Sequence, residues 1–240
     1  TIPAADLPIA GSAEADLLVG KGLFFSSTGV RLPALGADIP LRLSSEGWSG
    51  CVSCHPFGLT DGIVWIFGAG PRRTLPLNGT FNPHDPLDQK ILNYSAIFDE
   101  VQDFENNIRG VSGGRGLITL ADGVTPDPAL NALNPQNAGR RALLDDLAFF
   151  VSHGIRTPQS PLNDDGVSRR VRRQIRKGRE LFEQANCIAC HGGGGWASSR
   201  RNYTPPPTAG QIQSGQLFEF LKPVNTFDPT AVNEIRQNGA

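Results

Sequence analysis

Cys51-Val52-Ser53-Cys54-His55 returns as Cys187-Ile188-Ala189-Cys190-His191. The two pentapeptides use all four cysteines of the 240-residue chain and two of its four histidines. Two cysteines separated by two residues and followed at once by histidine form the attachment pattern of a c-type haem. Each thiol adds across a vinyl group to make a thioether, and the neighbouring imidazole ligates the iron. Zinc is the rival reading. A zinc ribbon repeats Cys-x-x-Cys without a histidine fused to the second Cys, and a zinc finger needs paired histidines further on. Neither occurs here. A thioredoxin-like pair needs one Cys-x-x-Cys beside a strand–helix unit. The repeat therefore predicts two covalently attached c-type haems. Cys51, Cys54, Cys187 and Cys190 are the anchors, and His55 and His191 the proximal iron ligands.

The repeat extends upstream of each pentapeptide. Gly20-Lys21-Gly22-Leu23-Phe24 precedes the first, and Gly178-Arg179-Glu180-Leu181-Phe182 the second. Both read Gly-x-x-Leu-Phe inside a helical pattern. Leu17, Gly20, Leu23 and Phe24 share one helix face, as do Val171, Ile175, Gly178, Leu181 and Phe182. A cytochrome c domain opens this way, with a glycine that permits close helix packing. From Gly178 to Cys187 is 9 residues, but from Gly20 to Cys51 is 31. The first copy thus carries a 22-residue insertion, near 26–49, rich in Pro, Gly and Ser.

Downstream, helices are predicted near Asp88 to Phe98 and over Ala138 to His153, with Leu143, Leu144, Leu147, Phe150 and Val151 inward and Gly154 as a stop. A glycine-rich loop lies at Gly110 to Gly116. The linker-like Thr157 to Gly166 marks a domain boundary, giving an N-terminal haem domain over 1–160 and a second, shortened at its C-terminus, over 161–240. Few segments alternate with period two. The expected fold is all-α: two cytochrome-c-like haem domains with long irregular loops.

Composition narrows the function classes. A formal net charge of −1 argues against a nucleic-acid binder. The longest apolar run, Gly62 to Gly70, is too short to span a bilayer. Haem attachment of this kind takes place outside the bacterial cytoplasm. With Thr1 at the start, a mature periplasmic or extracellular product after signal-peptide removal is expected. Arg169 to Arg179 holds seven basic residues in eleven. Cations at a helix start oppose the macrodipole, which points to a partner: haem propionates or an acidic redox protein.

The string Cys51-Val-Ser-Cys-His-Pro-Phe-Gly-Leu-Thr-Asp61-Gly62, then Gly70-Pro-Arg-Arg-Thr-Leu-Pro-Leu-Asn78, then a second Cys-x-x-Cys-His resembles the di-haem cytochrome c peroxidase and MauG superfamily. Its text is similar to the di-haem rubber-oxygenase branch, and the resemblance covers about Gly20 to His191. It implies a calcium near Asn78, with a turn asparagine beside Gly79 as the plainer reading. It places Tyr94 where relatives set a tryptophan between the haems. It sets Glu100 and Glu105 where a peroxidase keeps its distal acid–base carboxylate, although solvent-facing helix carboxylates would look the same. Two departures stand out. The second haem of such peroxidases takes a downstream Met, and this chain has none. Only 49 residues follow His191, so a larger assembly or a missing C-terminal fragment is expected.

The sixth iron ligands separate the functional readings. Iron with two strong protein ligands passes electrons, whereas an open position admits peroxide or dioxygen. Outside the pentapeptides the histidines are His84, between Pro83 and Pro86, and His153, at the end of an amphipathic helix. Both are candidate distal ligands, and an exposed loop or helix-end histidine is the plain alternative. The favoured reading is electron transfer with a redox partner protein. The competing one is a peroxidase or dioxygenase with one open haem.

Overall fold

A computed structural model of the chain describes residues 7–40, 43–67, 70–82, 85–90, 92–93, 98, 100–128, 137–157, 160, 162 and 165–191. Helix α1 (Ala13–Phe25) starts where the Ser12 hydroxyl accepts from the Ala15 amide at 3.3 Å, which satisfies one of the orphan donors of the first turn. Its buried face is Ala15, Val19, Gly20, Leu23 and Phe24. That face lies on α4 (Ala142–Phe149), which buries Leu143, Leu144 and Leu147 and continues as a π-helical turn over Phe150–Gly154. The rings of Phe24 and Phe150 meet at 5.3 Å between centroids. A methyl at Gly20 would overlap the Asp146 carbonyl oxygen and come within 2.8 Å of the Phe150 Cβ. Gly20 is the point of closest approach, as the Gly-x-x-Leu-Phe pattern anticipates.

The all-α expectation is overturned. Three two-stranded antiparallel sheets interleave with the helices among the described residues. The predicted insertion near 26–49 folds as a hairpin of β1 (Gly29–Leu32) and β2 (Ala37–Pro40), with Val30 opposite Ile39. Val30, Ala37 and Ile39 are buried in the core, while Arg31 and Asp38 form an exposed cross-strand ion pair at 2.9 Å. One face apolar and one charged is the period-two pattern of a strand pair covering a core. β3 (Val64–Phe67) pairs with β4 (Gly70–Arg73), and β5 (Phe81–Asn82) with β6 (Asp85–Gln89). Strand β6 occupies Asp88 and Gln89, so the helix expected from Asp88 does not form there. Pro86 fits this, because the preceding Asp85 is biased to extended backbone.

The helix expected from Ala138 begins four residues later, at Ala142. Carboxylates already hold the backbone ahead of it. Glu100 accepts from the amides of Asn137 and Ala138, and Asp145 accepts from Gly139 at 3.0 Å. α3 (Glu105–Gly110) follows a 3₁₀ turn over Val101–Phe104 and adds Ile108 to the core. Helix α5 (Arg169–Gln184) is capped by Ser168 and leads to the short α6 (Ile188–His191). No residue of α5 is fully buried. No described helix is long and apolar enough to cross a membrane.

The α1–α4 seam makes stability pH-dependent. Burial, then the neighbouring charges of Asp16 and Asp145, push the Asp146 carboxyl up to about 7. The folded chain therefore keeps this proton over a range in which the unfolded chain, with a value of 3.8, has lost it. Stability should fall as pH rises from about 4 to about 7. Asp146→Asn should flatten that slope and raise stability above neutrality by about 1 kcal/mol, allowing for solvent screening of a partly exposed group. Urea midpoints measured across this pH range in both proteins provide the check.

Candidate cofactor-attachment site

The first pentapeptide begins with one helical turn, α2 (Cys51–Cys54), whose carbonyl at Cys51 accepts from the His55 amide at 2.9 Å. Cys51 and Cys54 stand three positions apart on this turn, the spacing of surface neighbours, and His55 follows as its C-cap. Gly50 precedes the turn, and a methyl there would strike the Ser26 carbonyl, so the motif starts tight against the end of α1. The Gly50 amide donates to the Ser53 hydroxyl at 3.1 Å.

His55 is oriented by the loop that follows it. Its Nδ1 lies 3.2 Å from the Leu59 carbonyl oxygen. A carbonyl only accepts, so Nδ1 carries the proton and Nε2 keeps its lone pair. That is the tautomer an iron ligand needs, with its outer hydrogen bond in place. Burial holds the imidazole below its ordinary value, opposed by the Leu59 and Leu75 carbonyls and the Asp61 charge. At neutral pH the ring is therefore neutral, the ligating form. The thiols shift the other way. Burial pushes Cys51 up to about 11 and also raises Cys54.

Asp61 fastens this loop to the β3–β4 hairpin. Its amide donates to the Cys54 carbonyl at 3.2 Å, and its carboxylate accepts from the Ile63 amide and the Trp65 indole, both at 2.9 Å. Slight burial works to raise the carboxyl, but the donors of Ile63, Trp65 and Thr74 hold it below the usual range. Around the loop Phe57, Leu59, Ile63, Val64 and Ile66 are exposed. Phe57 is 84% exposed and has a positive φ of 54°, a strained backbone for an aromatic residue. Two thiols at helical spacing, a neutral imidazole oriented through Nδ1 and an apolar surround are the donor set and surface a covalent haem requires. The residues fit the group.

The second copy closes in the same way. The His191 amide donates to the Cys187 carbonyl at 2.9 Å, and the His191 ring lies 6.3 Å from that of Phe182. Asn186, with φ 55°, turns the chain out of α5, and the Cys187 amide reaches back to the Phe182 carbonyl at 3.0 Å. Gly178, the counterpart of Gly20, has no atom within 4 Å of an added Cβ.

The other predicted residues fall in different places. His84 and Tyr94 lie outside the described residues. His153 is exposed and stacks on Phe149 with centroids 4.1 Å apart. Its Nδ1 lies 3.2 Å from the Phe149 carbonyl and 2.7 Å from the Ser152 hydroxyl. Two residues on, Ile155 packs where a Cβ at Gly58 would meet its Cγ2 at 2.5 Å. The segment after His153 thus rests on the loop that orients His55. Asn78 is half-buried, and its carbonyl accepts from the Thr157 hydroxyl. Among the described residues no group of three or more His, Cys, Asp or Glu side chains gathers to hold an ion.

Glu100 and Glu105 do not face solvent; they are 8% and 0% exposed. Glu105 accepts from the Leu117 amide at 2.8 Å, the Ile118 amide at 3.0 Å and the Arg109 guanidinium at 3.0 Å. Arg109 also donates to the carbonyls of Asp127 and Ile118. Gly116 has φ 79°, and a Cβ there would overlap the Glu105 carboxylate. Asp103, fully buried, accepts from the Asn137 side chain at 2.9 Å, and Arg140 bridges Asn137 and Asp127. These carboxylates pin loops. The resemblance names Glu100 and Glu105 for another role; the residues missed in the sequence are Asp61, Leu59, Asp103, Arg109, Asn137 and Arg140, and only Glu105–Arg109, at i, i+4 spacing, left a readable signal.

No protein-family model, curated protein or solved structure matches this chain.

Proposed function

We propose that the chain is a di-haem c-type cytochrome that transfers electrons outside the cytoplasm. The observation that carries this reading is the shared turn. Both pentapeptides close with the histidine amide on the first cysteine's carbonyl at 2.9 Å, so two distant segments make the same closing bond. A bound c-type haem supplies an iron that changes oxidation state by one electron. Cys51, Cys54, Cys187 and Cys190 would hold the two groups, and His55 and His191 would ligate them.

Raised thiols at Cys51 and Cys54 weigh against a disulfide-exchange pair, which works through a thiolate of lowered value. The two carboxylates that the peroxidase resemblance would enlist, Glu100 and Glu105, already accept from backbone amides. His153 offers an Nε2 not used by its local bonds, on a segment touching the first attachment loop. With no Met in this sequence, a His, Tyr, Lys or water ligand would complete the second iron, and its potential would then lie below those of Met/His cytochromes.

The test is the spin state of the purified ferric protein. Electron transfer by two six-coordinate irons predicts low-spin spectra at both, slow cyanide binding, and a new high-spin signal in His153→Ala. A resting high-spin iron, with His153→Ala unchanged, would favour the peroxidase or oxygenase reading instead.

A further inference from the structure

The eleven residues Arg169 to Arg179 hold seven cations and no carboxylate. The whole chain is formally −1, so everything outside this run amounts to −8. The structure puts the run into α5 and sorts its charges. Arg169, Arg173 and Arg176, spaced i, i+4 and i+7, stand opposite the Val171–Ile175–Phe182 stripe and are exposed. None of the three pairs with a carboxylate among the described residues. Arg172, by contrast, is tied to the Leu162 and Val167 carbonyls, and Lys177 pairs with Glu180 at 3.2 Å. The cations crowd the helix start, where the macrodipole is positive, so stability alone would select against them. An external anion reverses that balance. The helix, about 24 Å long, runs into Cys187 through Ala185 and Asn186.

We propose that the outer face of α5 is a docking surface for an acidic redox protein, which it steers to the Cys187–His191 site. The partner's redox character rests on the function proposed above; its acidity rests on α5 alone. A globular partner with a local acidic patch meets the helix without meeting the −8 of the remaining chain. A nucleic acid or an anionic membrane extends past the helix and faces a remaining chain of opposing net charge. A membrane-bound helix also inserts its apolar stripe, whereas Val171, Ile175 and Phe182 are partly buried and only Leu181 of that face is an exposed apolar side chain.

The probe is a small acidic flavodoxin, titrated calorimetrically into the full haem-loaded chain. Binding should weaken at least about tenfold between about 20 mM and about 200 mM salt, as screening removes exposed charge pairs. The triple variant Arg169→Glu, Arg173→Glu and Arg176→Glu should lose about tenfold or more at low salt. Glutamates suit a helix start, so the variant should fold, as circular dichroism would verify. Lys21→Glu, exposed on α1, should leave binding unchanged. No flavodoxin binding at low salt would overturn the proposal. So would a triple variant that binds like the parent, or binding to equimolar phosphatidylglycerol–phosphatidylcholine vesicles without binding to flavodoxin. If the haem reading alone is wrong, the protein mass will show no haem while salt-sensitive flavodoxin binding persists.

Discussion

Glu105→Ala should destabilise the folded chain by about 3–5 kcal/mol, the range for stranding one member of a buried ion pair. Glu105 has no exposed surface, and its two oxygens serve two backbone amides and one guanidinium. Removing it leaves the Leu117 and Ile118 amides buried without an acceptor and Arg109 without its anion. Each stranded donor contributes its desolvation penalty. Glu105→Gln should cost less, because an amide oxygen still accepts, but its NH₂ then faces a backbone donor. Urea denaturation of the two variants gives the comparison. A loss below about 1 kcal/mol for Glu105→Ala would mean that water or a rearranged loop serves these groups, and that Glu105 is free for chemistry.

Gly20→Ala should cost about 2–3 kcal/mol, although alanine is the better helix former by about 1 kcal/mol. The added methyl overlaps the Asp146 carbonyl oxygen and crowds its carbon at 2.6 Å. Backbone cannot swing aside as a long side chain would, so α1 and α4 must separate and loosen the Phe24–Phe150 contact. Gly178→Ala supplies the opposite sign. Nothing lies within 4 Å of its Cβ, so helix propensity alone should stabilise α5 by about 0.5–1 kcal/mol. Paired thermal melts of the two variants test whether the repeat's glycines do different work. Equal effects would contradict the geometry.

What the sequence made legible was local chemistry. The pentapeptides, the helix face of α1 and the stop at Gly154 follow from spacing within a few residues. The strands were legible too, but under the wrong period. Val30-Arg31-Leu32 and Ala37-Asp38-Ile39 alternate strictly around Pro33–Gly36, and Val64–Phe67 is a run of β-branched and aromatic residues bounded by glycine. A search for cytochrome helices reads the first as an insertion and the second only as an apolar stretch. Pro86, two residues before Asp88, favours the strand over the helix expected there. Long-range polar ties left no trace. Glu100 reaches Asn137 and Asp103 reaches the same residue across more than thirty positions. No periodicity encodes such a pair, so buried anchors read as surface acids.

The central claim is two thioether-linked haems, and the mass of the denatured chain tests it most directly. The protein should be produced in a periplasm that supplies c-type haem attachment. The predicted result is two haem additions per chain, one on the peptide carrying Cys51 and Cys54 and one on that carrying Cys187 and Cys190, with no thiol open to alkylation. A chain at its bare polypeptide mass, with all four cysteines alkylated, would contradict the account.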